Sequence, residues 1–224
     1  MKSNAVKSYA LDLDWSAQTL LPIEFEGQEL QLEARAYQGT DPKNQAFVLI
    51  NRTSQAGNEL PYVRVHSGCV TGDIFHSLKC DCYPQLQASL KKIVNSPLGI
   101  LIYLPYHEGR GIGLVAKIKA YALQEQGYDT VDANVAVGAP IEAREYDLAA
   151  HILFDLGYPE IKLLSNNPAK TDALRAEGIK VVEQVPVICK PNVHNVRYLE
   201  TKRARMSHRL PTLAAAGTVP TPAE

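Results

Sequence analysis

GILIYL, running from Gly99 to Leu104, is the stretch on which the fold turns. Its apolar run is bounded by turn residues and is too short for a buried helix, so it reads as a strand buried inside a sheet. Just before it, Leu86, Leu90, Ile93 and Val94 fall at helical spacing. Downstream, strand and helix signals alternate. Leu114 to Gln126 predicts a helix closed by Gly127, and Glu142 to Leu156 another ended by Gly157. Glu160 to Leu164 predicts a strand, Pro168 to Glu177 a helix and Lys180 to Ile188 a strand. Upstream, the alternating segments LPIEFEG, LQLEARAY and QAFVLINR are separated by the turn-rich GTDPKN and SQAGNELP. The pattern is α/β: a mixed β-sheet flanked by helices, with a mostly antiparallel N-terminal portion. Three regions follow: a strand-rich portion over 1–60, the α/β part over 61–208, and a tail over 209–224 whose Ala, Pro and Thr lack periodicity and predict disorder.

Bulk properties narrow the class. A chain of 224 residues buries a core without disulfides. The start, MKSNAVKSYALDLDW, lacks an apolar leader segment, and no run approaches a membrane span, so a cytoplasmic protein is expected. A formal net charge of -1 argues against a polymeric nucleic-acid partner and is compatible with a small anionic ligand.

Three of the four cysteines crowd into HSGCVTGDIFHSLKCDC, residues 66–82. In a reducing compartment clustered cysteines are more often metal-binding or catalytic than bridged. Cys69, Cys80 and Cys82 supply three thiolates, which suits an open, catalytic zinc better than a closed four-ligand site. His66 and His76 are both candidates for a fourth ligand. Cys189, more than a hundred residues on, reads as a half-buried small residue.

RVHSGCVTGDIFHSLKCDCYPQ, then HEGRGIGL, KIKAYALQEQGYDTVDAN and LLSNNPAK, resemble GTP cyclohydrolase II in sequence and order over about residues 61–208. The resemblance implies an α/β enzyme of riboflavin biosynthesis. Such an enzyme opens the imidazole ring of GTP, releases formate and pyrophosphate, and leaves a diaminopyrimidine ribosyl phosphate. It also implies one Zn²⁺ per subunit on Cys69, Cys80 and Cys82 with water in the fourth position, Mg²⁺ on the substrate phosphates, and a homodimer.

The resemblance assigns roles that the residues alone leave open. Glu108, Gly109 and Arg110 lie between a strand and a helix, in a string that matches neither common nucleotide-binding glycine loop. By resemblance they contact the nucleotide, with Glu108 accepting from the guanine edge. Tyr121 shares a stripe with Leu114 and Ile118 and reads as a core aromatic; by resemblance it assists loss of formate. Glu142 and Arg144, two apart, diverge on a regular helix and converge only at an irregular helix start. The resemblance makes Glu142 the proton acceptor and places Arg144 at the α-phosphorus, where an electrostatic clamp suits a guanidinium better than a nucleophile. Asn167 reads as an N-cap before Pro168, at a helix start suited to anions. Arg64, Gln85, Thr130, Ser165 and Lys170 match substrate-binding positions. Lys202, Arg203, Arg205, His208 and Arg209 read as a solvated helix face.

Gly68, Tyr83, Pro84, His107 and Glu142 depart from the family pattern and are expected to cluster around the pocket. Two competing expectations follow: a paralogue that opens another ring, such as a pyrimidine in uracil catabolism, and a non-catalytic zinc-containing nucleotide-binding regulator.

Overall fold

The computed structural model describes residues 14–39, 41 and 43–211, with side chains from Ala17 onward. Its frame is one seven-stranded sheet in the order β1-β2-β3-β5-β4-β6-β7. Strands β1 (Asp14–Phe25), β2 (Gln28–Gln38) and β3 (Gln45–Arg52) form an antiparallel meander. Glu26 and Gly27 both adopt left-handed backbone (φ 51° and 75°), which makes the tight β1–β2 turn match the twist of its strands. β5 (Leu98–Leu104) sits at the junction, antiparallel to β3 and parallel to β4 (Tyr62–Ser67). β4, β6 (Glu160–Leu164) and β7 (Lys180–Val185) run parallel. The α/β class with a mixed sheet and antiparallel N-terminal strands therefore holds.

β5 is apolar throughout because helix α1 (Cys82–Val94) covers one face and α4 (Asp147–Asp155) shares the core of the other. Gly99 marks the closest approach: a Cβ there would lie 2.8 Å from Ile93 Cα. The remaining helices are α2 (Leu114–Glu125), α3 (Thr130–Ala136), α5 (Pro168–Ala176) and α6 (Val196–Arg205). None among the described residues is long and apolar enough to cross a membrane.

Two boundaries differ from expectation. The helix read from Glu142 begins only at Asp147, because the preceding strut is fastened as a loop by the Ala143 N–H donating to Arg110 O (3.0 Å). The strand read to Ile188 ends at Val185, after which Val187 pairs with the Asn166 side chain instead of a strand. Of the tail read over 209–224, residues 212–224 lie outside the described residues.

Candidate active site

Open α/β sheets bind ligands beyond the carboxyl ends of their parallel strands. Here β4 leads into the cysteine loop, β5 runs into Pro105–Gly111, and β6 is followed by Ser165, so three loops meet round one cavity. The cavity and its mouth together enclose about 970 Å³, open solvent included.

The thiols of Cys69, Cys80 and Cys82 lie within 4.8 Å of one another, although their backbones come from a strand end, a turn and the first residue of α1. Cys69 Sγ and Cys80 Sγ are 3.8 Å apart. Tetrahedral bonds of about 2.3 Å place two sulfurs on one zinc about 3.8 Å apart, so the spacing fits that ion. Gly72 completes the cradle. A Cβ there would stand 2.9 Å from Cys80 Sγ and 3.1 Å from Cys69 Sγ. The thiols oppose one another's ionisation: hydrogen bonding from Cys80 drives Cys69 far down, while Cys69 pushes Cys80 up to about 11 and Cys82 well up. A divalent cation relieves that opposition, since a coordinated thiol ionises outright. No histidine joins this cluster among the described residues. His66 Nε2 is engaged with Asp73 at 3.1 Å, and the exposed His76 stacks on Tyr83. Asp73 also accepts from the Cys69 N–H (2.9 Å) and Tyr103 OH (3.1 Å), which fixes the loop that carries Cys69. Cys189 is partly buried and packs on the smaller core.

Lys117 on α2 is the residue that sequence reasoning missed. Its buried ammonium donates to Cys69 Sγ (3.0 Å), Thr71 Oγ1 (2.8 Å) and Glu108 Oε1 (2.6 Å). Glu108 is itself buried, and its carboxylate accepts from the N–H groups of Val70 (2.6 Å) and Gly109 (3.1 Å) as well. In this arrangement Glu108 ties the cysteine loop to α2. Tyr121, one turn on, is partly buried and lines the cavity with its ring 5.6 Å from Lys117 Nζ, whereas Leu114 and Ile118 of its stripe are exposed. The stripe is thus not a core face.

Elsewhere in the cavity wall, Arg64 is buried and donates to Leu164 O (3.1 Å) and Gln85 Oε1 (2.7 Å). Lys170 is buried and donates to Val65 O (2.6 Å); burial beside Arg64 and Arg144 holds it well below the ordinary lysine range. It has no carboxylate partner among the described residues. Arg110, in left-handed backbone (φ 67°), donates to Thr130 O (2.9 Å) and Oγ1 (3.0 Å). Ser165 Oγ accepts from the Asn167 N–H (3.1 Å), and Asn167 Oδ1 caps α5 through the Ala169 N–H (3.1 Å), with Pro168 following as read from the sequence.

Glu142 and Arg144 do meet. Because they stand on an extended strut before α4, Arg144 grips the Glu142 carboxylate with both Nε (2.6 Å) and Nη2, and its Nη1 reaches Ser67 Oγ at 3.4 Å. Burial raises the Glu142 pKa, but the Arg144 pairing outweighs it and holds the carboxyl below its usual range.

The departures from the family pattern do not all gather at the cavity. Gly68 and His107 line it; Tyr83, Pro84 and Glu142 do not, although Glu142 is held by Arg144, which does. A Cβ at Gly68 would sit 3.0 Å from Pro105 Cα, so the glycine lets β4 pass close to the loop after β5. The basic cluster near the C-terminus is also not a plain solvated face: Lys202 is buried against Asp81 (3.0 Å), while Arg203, Arg205 and Arg209 are exposed.

The family model for GTP cyclohydrolase II matches residues 16–186. The chain belongs to the GTP cyclohydrolase II family. It is 51% identical to GTP cyclohydrolase-2 of Streptomyces coelicolor over 71% of this chain and 72% of that one. It is 49% identical to the riboflavin biosynthesis protein RibBA of Mycobacteroides abscessus and 51% identical to RibBA of Aquifex aeolicus. Those matches cover 77% and 65% of this chain but only 42% and 36% of the RibBA chains, so the chain spans less than half of either. The matched residues take in the three cysteines, Arg64, Arg144 and Lys170 of the cavity described above and stop before α6.

Proposed function

We propose that the chain is a zinc-dependent GTP cyclohydrolase II acting in riboflavin biosynthesis. It would convert GTP to formate, pyrophosphate and 2,5-diamino-6-ribosylamino-pyrimidinone 5'-phosphate. The observation that carries this reading is one cavity lined by a three-thiol cluster and by the buried cations Arg64 and Lys170 together with Arg144. A metal-binding cluster and several cations in one cavity suit a ligand that carries both an electron-poor ring and phosphates.

Cys69, Cys80 and Cys82 would hold zinc, which when bound would supply the activation of water for attack on the imidazole carbon. The chain's own residues bind and orient. Lys170 and Arg144 take the phosphates, whose charge Mg²⁺ would share, and Arg64 with Gln85 holds the nucleotide beside the cysteine loop. Arg110, Gly109, Thr130 and Ser165 complete the substrate contacts. Tyr121 stands near Lys117 at the cysteine end, where formate leaves. Glu142 is the proton acceptor. As a phosphate takes over Arg144, Glu142 loses the cation that depresses its pKa and becomes the stronger base. Glu108 acts here by holding Val70 and Lys117 in place, and any contact with guanine must compete with those bonds.

The working form in this reading is a cytoplasmic homodimer. The exposed Ile74, Phe75 and Leu78 of the cysteine loop and Val115 and Ile118 of α2 offer apolar surface for a second copy to cover.

The test is incubation of the zinc-loaded protein with GTP and Mg²⁺, with formate, pyrophosphate and pyrimidine absorbance followed together. Equal formate and pyrophosphate are expected, from a species that light scattering weighs at about twice 24.6 kDa. Zinc retention without turnover of GTP would sink the reading. Turnover of another ring would then identify the paralogue, and nucleotide binding without any turnover the regulator. A fully active monomer would sink the dimer alone.

A further inference from the structure

Helix α6 lies beyond the residues that the family model matches, yet Tyr198 and Lys202 on it, and Met206 and His208 just after it, line the cavity. The segment is fastened at several points. Asn195 Nδ2 donates to Cys80 O (3.3 Å), Arg197 to Gly127 O (2.7 Å) and the Arg209 N–H to Asn166 O (2.9 Å). Arg205 pairs with Asp129 and Asp132 at the start of α3, and Arg110 donates to Met206 Sδ (3.3 Å). These contacts reach the cysteine loop, the end of α2, α3 and the loop after β6.

The deepest link is a relay of four side chains across the cavity wall. Lys202 Nζ donates to Asp81 Oδ1 (3.0 Å), Gln85 Nε2 donates to Asp81 Oδ2, and Gln85 Oε1 accepts from Arg64 Nη2 (2.7 Å). Asp81 stands between two of the clustered cysteines and is buried, so its charge requires a cation. With Asp81 ionised, the amide of Gln85 is oriented: its NH₂ faces the carboxylate and its oxygen faces Arg64. Without Lys202 that orientation has no anchor.

We propose that residues 192–209 complete the site, and that Lys202 is a positioning residue that acts through Asp81 and Gln85 to orient Arg64 while steadying the Cys80–Cys82 turn. The substrate part rests on the GTP cyclohydrolase II reading; the mechanical coupling does not.

The experiment compares the full-length wild type with K202R and the double variant K202M/D81N, which avoids stranding a lone buried carboxylate. Zinc content, GTP kinetics and hydrogen–deuterium exchange over residues 79–86 are measured together. The double variant is expected to keep its zinc, to raise KM about tenfold with less than about a threefold fall in kcat, and to exchange faster over 79–86. K202R should stay near the wild type in all three. Unchanged exchange over 79–86 in the double variant would overturn the coupling whatever the kinetics do, and an unchanged KM would overturn the positioning role. Should the wild type fail to turn over GTP, the functional reading falls separately, and calorimetric affinity for inorganic triphosphate replaces KM as the decisive quantity.

Discussion

Lys117 shows how one side chain joins three parts of the site. Its ammonium touches the thiol of Cys69 and the carboxylate of Glu108, and Glu108 in turn holds the Val70 N–H next to that cysteine. Three thiolates on a divalent ion leave a charge of -1, so a buried cation against one of them stabilises the filled site. Lys117→Met should therefore weaken zinc binding by about 10–100-fold in competition with a chromophoric chelator, and Lys117→Arg should recover part of it. Equal zinc affinity in wild type and Lys117→Met would remove Lys117 from the metal's surroundings. The three cysteines were legible because their spacing and residue type carry the chemistry directly. Lys117 was not: within KIKAY it is one lysine of an amphipathic helix, and Cys69 lies 48 residues away. Burial of a lysine is set by a partner from another element, which a local pattern does not contain.

Among the elements, the strut before α4 carries the sharpest difference between pattern and structure. Glu142, Ala143 and Arg144 are good helix formers, so sequence reading extends the helix through them. Tertiary contact wins. Gly111 (φ 86°) passes so close that a Cβ on it would lie 2.9 Å from the backbone carbon of Ala143, and Ala143 bonds to Arg110. The loop geometry lets two residues spaced i,i+2 close on one another, which a helix would forbid. Strands were easier to read, since β5 is covered on both faces and β2 and β3 alternate, so each carries its own periodicity. The short α3 passed unseen because its seven residues give barely two turns of pattern. Gly111→Ala combines a disfavoured left-handed backbone with a clash against Ala143, and should push the strut away from the cavity. A displacement of about 1 Å costs on the order of a hundredfold in rate, so kcat should fall by at least about tenfold while zinc content stays constant. Unimpaired turnover in that variant would show that the placement of Glu142 and Arg144 does not limit the reaction.

On the scale of the whole molecule, a nearly neutral chain gathers six of its 23 lysines and arginines round one cavity. Arg64, Arg110, Lys117, Arg144, Lys170 and Lys202 line the cavity, and Asp81 is the one carboxylate lining it among the described residues. This field reaches two histidines. Burial, reinforced by Arg144 and Lys170, lowers His107 to about 3, with Glu142 opposing. Burial, reinforced by Lys202, Arg144 and Lys170, lowers His208 to about 3, with Asp81 opposing. Both rings are therefore neutral in the folded protein at pH 5.5, whereas in the unfolded chain they titrate near about 6.5. Between those values the unfolded state binds more protons, so stability is complete above pH of about 6.5 and is lost as pH falls toward about 3. Each histidine should cost up to about 1.4 kcal/mol at pH 5.5 relative to pH 8. In urea unfolding at the two pH values, H107Q/H208Q should lose less stability on acidification than the wild type, by about 2 kcal/mol or more when both histidines act independently. Carboxylate titration and zinc release are common to both proteins and cancel in that difference. Parallel losses would mean that neither ring is held neutral, and that the cations round the cavity are screened from it by water.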